Sequence, residues 1–402
     1  MNIFEDSLKV LEKAAKKLKL KKEKYFQLLQ PQKIIEINFP FKNKLIYGYR
    51  VQYNNKLGPY KGGLRYHPQV DLDEVKSLAF WMMIKNSLAG VPYGGGKGGL
   101  QIDPKNLTNK EIKEITEKFI ELIYQDIEPK FDVPAPDVGT DDQIMKIIAK
   151  KYQELTKDKT KAVVTGKPIN FGGSRGREQA TGLGGFYILE NYLKHFKIKN
   201  SKNLEIVIQG FGNVGSYFAK FASENGFKVV AVSDSSGAIY EKKGLNIKKL
   251  IQIKNQKGEV AKYANFIKSS KKINPNNLLY LKCDILIPAA LEKQITIENY
   301  QKIRAKYILE LANGPLTVEA DEKFAKFKNK VIPDVLSNSG GVIVSYFEWL
   351  QNLKKQKWSE KKVFSELKKY LSKSSEQVFN IANQYNCDLR TAAYIVALKK
   401  LI

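Results

Sequence analysis

The stretch "NLEIVIQGFGNVGSYFAKFASENGFKVVAVSD", Asn203 to Asp234, decides how this chain reads. It opens on an apolar, β-branched run, breaks at closely spaced glycines, continues with a helical pattern and closes on a second β-branched run. Strand, tight turn, helix and strand within about 30 residues form the unit from which parallel sheets are built. Gly210, Gly212 and Gly215 stand in GxGxxG spacing around Asn213 and Val214. In this setting the first glycine makes the turn, the second admits a pyrophosphate to the backbone, and the third lets helix and strand pack, with the phosphates at the positive helix end. Asp234 ends the second strand, where an acid bonds the hydroxyls of an adenosine ribose. The segment therefore predicts a dinucleotide site. A carboxylate at 234 repels a 2′-phosphate and favours NAD, whereas the neighbouring Ser235, Ser236, Lys242 and Lys243 are suited to receive one, so NAD and NADP both stay open.

Downstream, "DILIPAA", "KYILELAN" and "NKVIPDVLSNSGG" supply further short buried strands, and their alternation with helices predicts a parallel sheet covered on both faces. Upstream, apolar positions at Phe4, Leu8, Leu11, Ala15, Leu18 and Phe26 predict a helical stripe over residues 4–29 that stops at Pro31. "KIIEINFPF" and "KLIYGYRVQY" read as paired strands, "DLDEVKSLAFWMMIKNSLAG" as a helix, "GLQIDP" as a strand and "NKEIKEITEKFIELIYQDI" as a helix; beyond Val342 the pattern is helical. The expected fold is α/β with two domains and a cleft between them. Residues 1–175 form a substrate-binding and assembly domain, 176–345 a doubly wound Rossmann-like dinucleotide domain, and 346–402 C-terminal helices that return to the first domain.

At 402 residues the chain exceeds the size at which one core stops growing, and 43% hydrophobic residues suffice for two. A formal charge of +27 raises the question of nucleic acid. However, 41 acidic residues are mixed among 68 basic ones and no aromatic-basic platform is present, so the charge reads as solvated helix faces and a long-range attraction for anionic substrates. Cys283 and Cys387 make no disulfide framework, "MNIFEDSLKV" lacks the pattern of a signal peptide, and no run of about 18 apolar residues occurs. A cytoplasmic protein with no membrane segment is expected. His67 and His195 stand without cysteines or paired acids at ligand spacing, so no metal site is expected.

A second glycine-rich stretch, "VPYGGGKGGLQID" from Val91 to Asp103, sets Lys97 among five glycines. Glycine runs commonly mark turns. The sharper reading is that the missing side chains leave room for a small ligand, with Lys97 the functional group that meets it. A lysine in a dry pocket or beside other cations loses proton affinity and becomes a usable base. Lys61 in "GPYKGGLRYHP" and Lys85 in "FWMMIKNSLAG" are two more lysines in unusual settings, and three converging ammonium groups would hold a small dianion. Asp137 follows in "VPAPDVGTDD", where prolines stiffen the chain; a fixed carboxylate beside such a lysine makes a proton shuttle.

These blocks, with "VTGKPINFGGSRGREQATG", "IQGFGNVG", "DILIPAALE" and "SNSGGVIVSYFEWLQN", follow one another as in the glutamate dehydrogenase family of amino-acid dehydrogenases, which the chain resembles along nearly its whole length. The resemblance implies reversible oxidative deamination of L-glutamate to 2-oxoglutarate and ammonia with NAD or NADP, in a homohexamer. By motif, Lys97 is similar to the lysine that activates the attacking water and Asp137 to the residue that moves protons at the amino nitrogen. Lys85 resembles the residue holding the α-carboxylate; Lys61 and Ser345 resemble those meeting the distal carboxylate. Thr181, Asn213, Ala289, Asn313 and Asn338 resemble cofactor contacts. Polar residues at 61 and 345 favour glutamate over leucine, valine or phenylalanine, the substrates of sister enzymes. Leu183, Lys293 and Leu311 depart from the family pattern, where arginine, asparagine and glycine stand, and all three fall in or near the dinucleotide domain. A non-catalytic basic paralogue that binds nucleic acid or an active partner is the rival of another class, and retention of Lys97 and Asp137 argues against it.

Overall fold

The computed structural model describes residues 3–200 and 203–402. The chain divides into two compact units: Met1–Arg177, Val342–Glu366 and Tyr394–Ile402 form the first, Glu178–Gly341 and Leu367–Ala393 the second.

The first unit carries α1 (Ile3–Lys17), β1 (Lys33–Phe41), β2 (Lys44–Asn54), β3 (Tyr60–Tyr66), α2 (Leu72–Ala89), β4 (Gly95–Leu100), α3 (Asn109–Ile123), β5 (Asp132–Pro136) and α4 (Asp142–Thr156). α1 is shorter than its apolar stripe, because Lys19 turns the chain into the left-handed region and only short 3-10 turns follow to Leu28. The sheet runs β1-β2-β4-β3-β5, with β2 antiparallel to β1 and β4, and β3 parallel to β4 and β5. One face packs on α3 and α4 through Leu64, Tyr66, Phe119, Ile120, Met145 and Ile148.

Two expectations are corrected here. The strand lies at Gly95–Leu100 rather than at "GLQIDP", so the glycine run is itself the central strand. Nor do its glycines leave space for a ligand, because the protein's own atoms fill each position. A Cβ on Gly95 would stand 2.5 Å from Met83 Cβ and 2.6 Å from the Met83 nitrogen, so α2 lies directly on the strand. One on Gly94 would meet the Asn54 carbonyl oxygen at 1.9 Å, and one on Gly98 would meet Arg50 Cδ at 3.2 Å. Side-chain propensity argues for a turn here, but two flanking strands and a covering helix fit only a bare backbone.

The second unit carries α5 (Ala180–His195), β6 (Glu205–Gln209), α6 (Asn213–Glu224), β7 (Lys228–Asp234), β8 (Gly237–Tyr240), α7 (Ile247–Lys257), β9 (Lys271–Ile273), β10 (Ile285–Pro288), β11 (Tyr307–Leu309), α8 (Val318–Ala325), β12 (Val331–Ile332) and α9 (Asp334–Ser337). The sheet order is β12-β11-β10-β6-β7-β8-β9. The first five strands are parallel, but β8 and β9 extend the sheet antiparallel through a tight hairpin at Ser235–Ser236. The chain thus reverses strand order beside β6, the point at which doubly wound sheets open a crevice.

The tail forms α10 (Gly340–Leu353), α11 (Glu360–Tyr385) and α12 (Leu389–Leu401). The expectation that 346–402 returns as a whole to the first domain needs revision, since Leu367–Ala393 belongs to the second unit. There Phe379 packs against the rings of Tyr192, His195 and Phe196.

The packing of β4 makes a prediction. Gly95→Ala forces α2 off the sheet and costs about 2–4 kcal/mol, seen as a lower urea midpoint or melting temperature; an unchanged midpoint would contradict the close packing.

Candidate active site

β-strand alternation puts Lys61, Gly63 and Arg65 on one face of β3. A Cβ on Gly63 would lie 2.8 Å from Asp137 Cβ, so glycine there lets the Asp137 loop approach. That loop is locked: the Asp137 amide donates to Thr140 Oγ1 at 2.8 Å, whose hydroxyl donates to the Leu64 carbonyl, and the Tyr66 amide donates to the Val138 carbonyl. Lys97, in the middle of β4, forms an ion pair with Asp137 Oδ2, while Arg65 Nε donates to Oδ1 at 2.8 Å and its other end pairs with Glu74.

The electrostatics follow from this geometry. Burial lowers the proton affinity of Lys97, Asp137 opposes that and Arg65 reinforces it, with a net shift downward. Burial pushes Asp137 up, but Lys97 and Arg65 outweigh it and hold the carboxyl far below its ordinary value. The expected pairing of Lys97 with Asp137 is present, and Arg65, which the sequence reading passed over, is the third member.

Lys61 is 2% exposed, with its ammonium over the Tyr93 ring at 5.9 Å. Burial first, then Arg50 and Arg177, drive its proton affinity well below that of an ordinary lysine, against Glu348 and Asp132. Among the described residues no carboxylate pairs with it. Arg177 is half-buried and donates from Nε to Ser345 Oγ at 3.1 Å on α10. Lys85 is also buried, near the end of α2, the helix that covers β4.

Two buried ion pairs frame these groups. Arg50 of β2 reaches past the glycines of β4 to Asp132 of β5, across two intervening strands, with Nε to Oδ2 at 2.9 Å and a second bond to Oδ1; Gln52 adds a third to the same carboxylate. Lys167 Nζ lies 2.7 Å from Glu348, whose carboxylate also accepts from the Gly166 and Lys167 amides. None of these partners adjoin in sequence, so no local pattern announces them.

In the second unit, Gly210 turns with φ of +95°, and a Cβ on Gly215 would meet the Gly210 carbonyl oxygen at 1.9 Å, as the roles of the first and third glycines require. A Cβ on Gly212 would meet no atom of the described residues within 4 Å. That opening, at the start of α6, is a cradle a side chain would fill. The loop borders a cleft of about 700 Å³ lined by the ends of β6, β7 and β10, including Gly210, Gly212, Asp234, Ala289 and Leu291. Thr181 lies in the first turn of α5, beside Gly182, whose bareness lets α5 rest on Val214 and Phe218 of α6. Asn338 Nδ2 donates to Asn313 Oδ1 at 2.8 Å, and the buried Asn338 Oδ1 has no hydrogen-bond partner among the described residues, an acceptor left for a ligand. The residues present fit a bound dinucleotide. Leu183 and Leu311 are both buried, and Leu311 occupies the space over Gly185, so the second of these departures is a packing exchange.

Asp234 differs from expectation. Its Oδ1 accepts from the Ser236 amide and hydroxyl, and its Oδ2 from Lys254 Nζ at 2.6 Å and the Val260 amide at 3.2 Å. Lys242 and Lys243 follow β8, which runs back along β7, so they lie at the far end of the strand pair from Asp234.

A doubly wound unit with a glycine cradle at its strand reversal puts the chain in the class of dinucleotide-binding proteins. The family model described as Glutamate/Leucine/Phenylalanine/Valine dehydrogenase matches residues 172–402, and that described as Glu/Leu/Phe/Val dehydrogenase, dimerisation domain, matches residues 31–154; the chain belongs to this family. Among curated relatives it is 42% identical to the NADP-specific glutamate dehydrogenase of Synechocystis sp., covering 100% of this chain and 96% of that one. It is 39% identical to the cryptic catabolic NAD-specific glutamate dehydrogenase of Bacillus subtilis, with 100% and 94% covered. Among solved structures, glutamate dehydrogenase from Peptoniphilus asaccharolyticus superposes with a TM-score of 0.87 at 36% identity, covering 99% and 97% of the two chains. The hetero-hexameric glutamate dehydrogenase from Thermus thermophilus, in a Leu-bound form, gives 0.91 at 30% identity, with 99% and 95% covered.

The opening above Gly212 is testable. Gly212→Ala leaves the melting temperature within about 1 °C, because its Cβ meets nothing, yet weakens dinucleotide binding about tenfold or more in a fluorescence titration; unchanged affinity would place the phosphates elsewhere.

Proposed function

We propose that the chain catalyses the reversible oxidative deamination of L-glutamate to 2-oxoglutarate and ammonia, with NAD or NADP. The observation that carries this reading is Lys61, a buried ammonium near Arg177 that lacks a carboxylate partner among the described residues. A distal substrate carboxylate supplies the missing counter-charge. An apolar side chain in its place would leave the cation facing hydrocarbon, which is why leucine, valine or phenylalanine suit this site poorly. The relatives named glutamate dehydrogenases support the same reading.

In this reading residues 1–175 provide substrate binding and assembly and 176–345 the dinucleotide site, with Thr181, Gly210, Gly212, Asn213, Val214, Gly215, Ala289, Asn313 and Asn338 toward the cofactor. Lys85 holds the α-carboxylate, while Lys61 and Ser345, the latter oriented by Arg177, hold the distal one. A bound dinucleotide would supply the acceptor for the hydride that leaves the substrate α-carbon. Lys97 then removes a proton from the water that adds to the imine carbon, and Asp137 carries protons to and from the departing nitrogen. The sum is glutamate, oxidised dinucleotide and water giving 2-oxoglutarate, ammonium, reduced dinucleotide and a proton. We place the protein in the cytoplasm, a reading supported by two buried cysteines that form no disulfide among the described residues, of which Cys283 has its thiol pushed up to about 12 by burial. We place it in a homohexamer, supported by the edge strand β1 and the exposed Ile34, Leu45 and Tyr47 around it; a monomer in light scattering would reject that assembly.

Reduced-dinucleotide absorbance with glutamate tests the function. Turnover falls about 10³-fold or more in Lys97→Ala, and in Lys61→Leu the rate on glutamate falls about 100-fold while that on leucine rises relative to it. Leucine or valine outpacing glutamate in the wild type would favour the sister substrates. Arg65→Gln tests the proton transfers. Because the Arg65 charge lowers the proton affinity of Lys97, its removal raises that affinity, so the acidic limb of kcat/KM moves to higher pH; a limb that stays or moves lower refutes Lys97 as the base.

A further inference from the structure

We propose that Lys254 is the residue that meets the 2′-position of the adenosine ribose, and that this cleft takes the 2′-phosphate of NADP in preference to the hydroxyl of NAD. The proposal rests on the dinucleotide reading of the same cleft.

A ribose needs a carboxylate with free acceptor positions, and Asp234 has spent them. Four protein donors, the Ser236 amide and hydroxyl, Lys254 Nζ and the Val260 amide, occupy its two oxygens. Its side chain is only 8% exposed, whereas that of Lys254 is 26% exposed. The structure therefore gives Asp234 internal work: it shapes the β7–β8 turn and fixes the head of Lys254. An ammonium has three donors, so one bond to Asp234 leaves two for a ligand. Lys254 also lies 5.9 Å from the centroid of the Phe211 ring, within the glycine cradle, so it spans from the pyrophosphate loop to the end of β7. Asp234 and Lys254 are the only charged residues among those lining the cleft, and Ser235 adds an exposed hydroxyl beside them. The wall is thus neutral in sum with its cation outermost, the reverse of the bare acid that the sequence suggested. A phosphate gains charge-assisted bonds from such a lysine; a hydroxyl gains much less.

The test uses the full chain and adenosine fragments, in calorimetry without substrate: adenosine 2′,5′-diphosphate against ADP. The wild type is expected to bind the 2′-phosphorylated fragment about tenfold or more tightly than ADP. Lys254→Gln brings the ratio to about one, and Lys254→Arg, which keeps the charge, restores much of it. A wild type that prefers ADP overturns the proposal without need of any variant, as does a Lys254→Gln protein, shown to be folded, that keeps the ratio. Binding of neither fragment removes the dinucleotide reading itself and the proposal with it, whereas binding of both in the wrong order removes the proposal alone.

Discussion

The bareness of β4 is the constraint on which the first unit depends. A strand of glycines admits α2 on one side, where Gly95 touches the helix backbone, and lets the Arg50 side chain run beneath it on the other to reach Asp132. Any side chain at these positions would separate layers that now touch. The same closeness excludes water, and exclusion of water gives the unit its chemistry, since a lysine carried on such a strand is buried by construction.

Burial alone would make these cations a liability, and the unit answers with partners of graded strength. Arg50 and Lys167 are fully matched by Asp132 and Glu348 and serve as struts. Breaking either by removing one partner would cost about 3–5 kcal/mol, because the other charge would stay buried. Lys97 is matched by Asp137 but shares it with Arg65, which leaves the lysine readier to lose its proton and the aspartate firmly ionised. Lys61 has no carboxylate partner among the described residues, and in the proposed reading the substrate supplies one. The same residue type thus serves three purposes according to how completely its charge is met.

The second unit shows how one contact changes what a motif means. The first and third glycines of the cradle keep the turn and packing roles their spacing implies, because those roles depend on backbone geometry that neighbouring residues dictate. The acid at the end of β7 depends on charge instead, and α7, two elements further along the chain, brings Lys254 to it. A motif residue whose role is electrostatic is open to revision by any charge the fold delivers, whereas a glycine needed for space is not.

The sequence by itself determined the alternation of strands and helices, the dinucleotide unit around Gly210, Gly212 and Gly215, and the prominence of Lys61, Lys85, Lys97 and Asp137, because periodicity, glycine spacing and isolated lysines are local signals. It also gave a false boundary at "GLQIDP" and a helix too long at the N-terminus, where local pattern and tertiary pairing disagree. Only the tertiary structure decided that the glycine run is a strand filled by its own neighbours, that Arg65 and Arg177 stand behind Asp137 and Ser345, and that Lys254 neutralises Asp234. In the first two pairs the partners lie 72 and 168 residues apart, and coupling over such distances leaves no trace in a window of sequence; it arises where buried charges must find counter-charges wherever the fold places them.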